Sequence, residues 1–167
     1  MLKRSLIALV LLAAACQPQQ TPAPETKPAD PAPEQAAAPA QLAADELPAP
    51  AGEITVTSVV AGAKVKSPLT VEGSVINNWM FEGVFPAELA ADGETIVQAP
   101  AQQQAPDNWT NPGPVKFKAT IEFTVTEEKS AVLILKEDMP KPKSPDSDEP
   151  GPARTLRIPV TLAPSAN

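Results

Sequence analysis

The chain contains no histidine and no tyrosine, and its only cysteine is Cys16. Without histidine the commonest general base and metal ligand is missing. A histidine-based catalytic triad is excluded, and zinc or haem centres lack their usual ligand clusters. A single cysteine excludes a disulfide within the chain, so a folded domain must rest on its hydrophobic core. Gly-x-Ser-x-Gly elbows, Ser-x-x-Lys pairs and glycine-rich phosphate loops are absent as well. Basic charge is scarce: 13 Lys and Arg stand against 20 Asp and Glu, a formal net charge of −7. An acidic surface repels phosphate backbones, and no basic stripe with interleaved aromatics opposes it, so no nucleic-acid partner is expected. No cofactor is expected, and the sequence reads as that of a non-enzyme.

Proline, by contrast, is abundant at 22 residues. Each ring fixes φ and removes a backbone donor, which points to tails and loops that do not pack. At 167 residues the chain fits one domain once such segments are set aside. Lys3 and Arg4 precede an unbroken apolar run from Leu6 to Ala15, followed by Cys16. That order describes a secretory signal peptide over 1–15, and the run is shorter than the roughly 20 residues that span a bilayer. Leu12-Ala13-Ala14-Ala15-Cys16 resembles the bacterial lipobox, in which the cysteine is acylated before cleavage. The departure is Ala13, which stands where leucine is preferred. The alternative is ordinary cleavage after Ala15, leaving a free thiol. Acylated Cys16 would hold the protein on a lipid bilayer at the extracytoplasmic face. Gln17, rather than aspartate, favours the outer membrane in a cell with two.

The segment 16–52 reads as the lipidated cysteine and a disordered Pro/Ala-rich linker. Residues 17–50 consist largely of Pro, Ala, Gln and Glu, with no apolar period to offset the entropy of ordering them. A polyproline II chain rising about 3.1 Å per residue would reach on the order of 100 Å. A spacer is the simplest role, with a proline-rich ligand for a groove as the alternative. A short helix over Gln35 to Glu46 would be interrupted by Pro39.

The pattern changes at Glu53. Val115, Phe117, Ala119, Ile121, Phe123 and Val125 alternate with Lys116, Lys118, Thr120, Glu122 and Thr124, as in a strand with one buried and one wet face. Ile54–Val60 is a first strand, and Leu69, Val71, Gly73 and Val75 mark a second. Phe81, Gly83, Phe85, Ala87 and Leu89 share one face of a third. Asp92-Gly93 signals a hairpin into Glu94–Gln98. Ala131–Leu135, apolar throughout, reads as a central strand covered on both sides, and Leu156, Ile158, Val160 and Leu162 as the last strand, with Arg157 and Thr161 outward. About seven short strands and no convincing helix indicate an all-β, immunoglobulin-like two-sheet sandwich over 53–164. Ala99–Pro114 and Met139–Ala153 are long loops between strands.

Val65-Lys66-Ser67-Pro68-Leu69-Thr70-Val71-Glu72-Gly73, then Phe81-Glu82-Gly83-Val84-Phe85, then Asp92-Gly93, resemble the immunoglobulin-like domain of bacterial spore germination proteins. The resemblance runs from about Ile54 to Leu162. It implies an extracytoplasmic, often lipid-anchored domain with no established catalytic role. Its usual companion, the GerMN module, does not accompany it here, so a part in germination does not follow. The Pro-rich loop at 139–153 is longer than the family's final hairpin.

Candidate contact residues are few. Trp79 stands near the start of the third strand, where immunoglobulin domains bury a tryptophan, although it is also a candidate ligand contact. Trp109 lies in a polar, proline-flanked loop, from which it either caps the sandwich or meets a partner. Glu82 faces away from the apolar set of its strand, towards backbone or a recognition surface. Asn108-Trp109-Thr110 matches a glycosylation acceptor by chance. Glu82, Glu88 and Asp92 are carboxylates that hydrolase chemistry would need, but no pairing singles them out. Asp146-Ser147-Asp148-Glu149 lacks the spacing of a calcium loop, so no metal site is assigned. The expected role is a membrane-anchored envelope lipoprotein that presents a protein-interaction or assembly domain to an envelope protein partner. The alternative is a carbohydrate module that binds cell-wall polysaccharide.

Overall fold

Period-two alternation decides the architecture. In the computed structural model, which describes residues 41–165, Val115, Phe117, Ala119 and Ile121 point into a core while Lys116, Lys118 and Thr120 between them are exposed. The described residues form nine strands and one short 3-10 turn. They are β1 (Glu46–Pro48), β2 (Ile54–Val56), β3 (Ala63–Val65), β4 (Leu69–Ile76), β5 (Val84–Ala91), β6 (Glu94–Gln103), β7 (Pro114–Ile121), β8 (Lys129–Lys136) and β9 (Ala153–Leu162); the turn is Asn77–Trp79. The leader over 1–15, Cys16 and the linker up to residue 40 lie outside the described residues.

The all-β, immunoglobulin-like reading holds, with two refinements. Hydrogen-bonded neighbours run β1-β9-β8-β5-β6-β7-β4-β2, with β3 also on β9, so the layers form one curled sheet. β6 joins them: it pairs with β5 along its length and with β7 at Gln102↔Lys118 and Gln103↔Phe117. The second refinement is at the amino-terminal side. The chain from Glu53 divides between layers, β2 pairing antiparallel with β4 and β3 parallel with β9. The expected first strand therefore ends at Val56 rather than Val60, which is itself exposed.

Trp79, Phe85 and Phe117 form the centre of the core, with ring centroids 6.2 and 5.0 Å apart in edge-to-face geometry. Such pairs add about 0.5–1.5 kcal/mol each beyond their buried area. Val71, Val75, Leu89, Ile121, Leu133, Leu135 and Leu162 complete it. Gly73 is required where β2 pairs with β4, because a β-carbon there would stand 1.9 Å from the Thr55 carbonyl oxygen.

Two expected boundaries move. Glu46–Pro48, within the expected linker, is a strand parallel to β9, held by the buried carboxylate of Glu46 on Arg157 at 2.8 Å. Arg157 is accordingly covered by this pairing, not turned out to water. The expected loop at 99–114 is strand as far as Gln103. Pro100 is tolerated because its nitrogen faces away from β5, where no donor is needed. β8 is central, as expected, but its outer face is only partly covered: Ile134 is buried while Val132 borders an open groove.

Candidate functional site

β5 is entered through a tight turn that the sequence presents as strand. Phe81 and Val84 exchange backbone hydrogen bonds at 3.0 and 3.1 Å, and Glu82 and Gly83 between them hold φ of +52° and +80°. Positive φ at both central positions is type I′ geometry, favoured by glycine, asparagine and aspartate. Glutamate adopts it at a cost of about 1–3 kcal/mol, a kind of strain that concentrates at functional sites. Glu82 is thus not a strand residue facing away from the core, as expected, but the exposed tip of a turn. The turn also reverses the chain before β5, so Phe81 leaves the apolar face of its neighbours and is 44 % exposed.

The loop between β6 and β7 meets this turn. A β-carbon on Gly83 would lie 3.0 Å from Gln103 Cδ and 3.2 Å from Trp109 Cδ1, so the turn packs flush against the loop only because residue 83 is glycine. Gln103 ties the two together: its N–H donates to Gly83 O at 2.8 Å and its Oε1 accepts the Trp109 N–H at 2.9 Å. Asn108 Oδ1 accepts both the N–H and the hydroxyl of Thr110 at 3.0 Å, and Asp107 Oδ2 accepts the Lys116 N–H at 2.8 Å. The side chains that fix the loop are therefore spent on its own backbone. What remains outward is Phe81 against Trp109, edge to face at 6.4 Å and 61°, with Glu82 beside them. Trp109 is half-buried, packed against the core on its inner side.

Of the contact residues expected from the sequence, Trp109 and Glu82 come together at this end of the sandwich and Trp79 does not. Trp79 has no exposed surface, which removes it as a ligand contact. Its indole N–H donates to Glu53 Oε2 at 3.0 Å, and the Arg154 guanidinium lies 5.6 Å from its ring centroid. Arg154 pairs with Glu53 at 2.5 Å and with Glu137 at 2.6 and 2.8 Å, and donates to Asn78 Oδ1 at 3.2 Å. Hydrogen bonding to Glu137 raises the Arg154 pKa, against the lowering effect of burial, so the guanidinium stays charged. One guanidinium fork thus holds both carboxylates and ties their segments together.

The other carboxylates are dispersed. Glu88 accepts the Thr95 hydroxyl at 3.1 Å, and Asp92, in the hairpin turn with φ of +54°, pairs with Lys129 at 2.7 Å. Both line an open groove of about 600 Å³ on the outer face of β5, β8 and β9, at the other end of β5 from Glu82. The acidic run Asp146–Glu149 sits in a small hairpin closed by Pro142 and Pro150 and by a Lys143–Glu149 pair at 3.0 Å. Among the described residues no helix is long and apolar enough to cross a membrane.

Residues 53–143 match the family model of Gmad2, the immunoglobulin-like domain of bacterial spore germination. The chain belongs to this family. The match spans β2 to β8, so it contains the Phe81–Val84 turn and Trp109 but not β1 or β9. Comparisons with curated proteins and with solved structures found no match. Sequence reasoning missed Phe81 and Gln103. Gly83 was the only local sign of the turn that exposes Phe81, and a glutamate before it is not one of the residues that mark such a turn.

Proposed function

We propose that this chain is a membrane-anchored envelope lipoprotein whose Gmad2 domain is a non-catalytic protein-interaction module. Its contact surface is the Phe81–Glu82–Trp109 end of the sandwich. The observation that carries the reading is the exposure of Phe81 beside Trp109 across a turn held in strained geometry by Glu82. Tryptophan is among the residues that most often anchor an interface hot spot, and Phe81 extends the same apolar surface. The sequence supports the rest: the lipobox-like Leu12–Cys16 supplies an anchor for acylation, and the Pro/Ala-rich linker supplies reach. The cell envelope, and the outer membrane where two membranes exist, follows from that address.

Sugar stacking is the weaker reading. A carbohydrate platform needs a flat ring open on one face and free polar groups beside it. Trp109 and Phe81 meet edge to face, and the adjacent Gln103 and Asn108 already bond the loop's own backbone.

The test is in-cell crosslinking of the anchored protein followed by affinity capture, comparing the wild type with Phe81→Ala and Trp109→Ala. A discrete envelope protein captured by the wild type and lost in both variants supports the reading. Capture of cell-wall fragments alone, lost in Trp109→Ala, would replace it with the carbohydrate module. In parallel, Cys16→Ser should release the protein from membranes; continued membrane association would end the anchor proposal.

A further inference from the structure

The two layers of the domain separate along one flank. Beyond Gln102↔Lys118 and Gln103↔Phe117, β6 follows β5 while β7 follows β4. The alternation of antiparallel ladders decides which backbone groups this leaves outward. The Gln104 N–H donates to Lys116 O at 2.8 Å, so the even-numbered residues of β7 face away from β4. Phe123 N–H turns to Ser67 Oγ at 2.9 Å, on the β4 side, so the alternation persists past the end of the strand. Thr120 and Glu122 therefore direct N–H and C=O to a side on which no strand among the described residues pairs with them. The facing wall is β6. Its outward positions there include Pro100, which has no N–H to offer, so β7 is the acceptor edge.

Between the walls lies a cleft of about 490 Å³, with Pro68, Ile96, Val97 and Phe123 as apolar lining and Glu122 on its rim. Ile96 is 45 % exposed although it belongs to a strand. Glu122 takes part in no ion pair among the described residues. The layer β2–β4–β7 is thus short of one strand on this side, and the gap has the chemistry of a strand: outward donors and acceptors, apolar flanks and a carboxylate.

We propose that this flank accepts an extended strand of a partner protein by β-augmentation. The guest pairs with Thr120 and Glu122 as a fourth strand of the β2–β4–β7 layer. It seats alternate apolar side chains against Ile96 and Phe123 and sets a basic side chain against Glu122. Main-chain hydrogen bonds supply affinity in this mode, and alternate side-chain contacts supply specificity. The site is separate from the Phe81–Trp109 surface and stands on a different observation.

The test is amide NMR and hydrogen exchange on the full chain with an end-blocked peptide of about six alternating valines and lysines as the probe. Chemical-shift changes are expected within 96–100 and 119–124, and exchange at Thr120 and Glu122 should slow by about tenfold or more. N-methylation of alternate peptide amides should abolish the effect, because it removes ladder donors and keeps the side chains. Glu122→Lys should weaken binding without altering the spectrum elsewhere. Unchanged exchange at millimolar peptide, equal binding of the methylated peptide, or shifts centred on Trp109 would each overturn the proposal. Slowing that depends on protein concentration without peptide would assign the edge to a second copy of the chain, and would equally overturn it.

Discussion

Glu82 holds a backbone conformation that its own side chain disfavours, and nothing in the fold demands glutamate there. The tip is exposed, and the packing that needs a small residue falls on Gly83. Asparagine is at ease with positive φ, so Glu82→Asn is expected to stabilise the domain by about 1 kcal/mol in urea unfolding. The same substitution should lower partner capture, since the charge beside Phe81 is lost. A variant both less stable and fully active would remove the argument that strain at this turn serves function. Lys129 offers a second residue-scale test. Its hydrogen bond with Asp92, and then their charge attraction, raise its pKa above the ordinary lysine value of 10.5. A raised lysine pKa contributes stability that is present below 10.5 and is lost as pH climbs through the folded value, so the effect lies on the alkaline side. Asp92→Asn should bring the Lys129 ε-methylene titration, followed by NMR, back towards 10.5. An unmoved titration would show that the pair does not form in solution.

At the scale of elements, Arg154 matters most. Standing at the start of β9, it reaches Glu53 before β2, Asn78 in the 3-10 turn and Glu137 after β8, so one guanidinium joins four segments. Glu137 is 5 % exposed, and removing its partner strands a buried carboxylate. Arg154→Met is therefore expected to cost about 3–5 kcal/mol by chemical denaturation, with Glu137→Leu added to it restoring much of the loss. Arg154→Lys should fall between, because an ammonium cannot serve two carboxylates and Asn78 in one plane. Equal stability of the single and double variants would mean that Glu137 finds water when Arg154 is gone. None of this network was legible in the sequence, because Glu53 and Arg154 are 101 residues apart and no periodicity links them. The strands were legible where one face packs and the other is wet. The strand Pro114–Ile121 begins where alternation places it but ends four residues before Val125, the last residue of the alternating run, and the Asp92-Gly93 hairpin falls where turn chemistry places it. Phe81 was misread because the apolar alternation continues in phase through Glu82-Gly83, hiding a turn inside an apparent strand. Ala99–Gln103 was misread because proline and glutamine resemble loop, whereas an open strand edge tolerates both. Trp109 could be placed in a loop from composition, but its contact with the Gly83 turn depends on two strands meeting at Gln103.

At the scale of the whole molecule, the boundary between linker and domain lies earlier than composition suggests. β1 is only Glu46–Pro48, set among prolines and alanines, and its ion-pair partner Arg157 is 111 residues away, so no local signal marks it. The pairing is nonetheless well built. The Ala153 N–H donates to Asp45 O at 3.0 Å, the Ala49 N–H to Thr155 O at 2.9 Å, and Arg157 Nε to Glu46 Oε2 at 2.9 Å. Both charged side chains are largely withdrawn from water, 16 % exposed for Arg157 and 5 % for Glu46. A chain that begins at Gln41 keeps all of these contacts and is expected to unfold at the same temperature as the full chain. One that begins at Glu53 leaves Arg157 without its carboxylate and the β9 edge without β1, a loss of about 1–3 kcal/mol. Calorimetry on the three chains measures it directly. A lower midpoint for the chain from Glu53 alone would make β1 part of the folded unit, and Glu46→Gln in the full chain should reproduce part of that loss. Equal midpoints for all three would mean that β1 rests on the sheet without holding it, returning residues 41–52 to the linker.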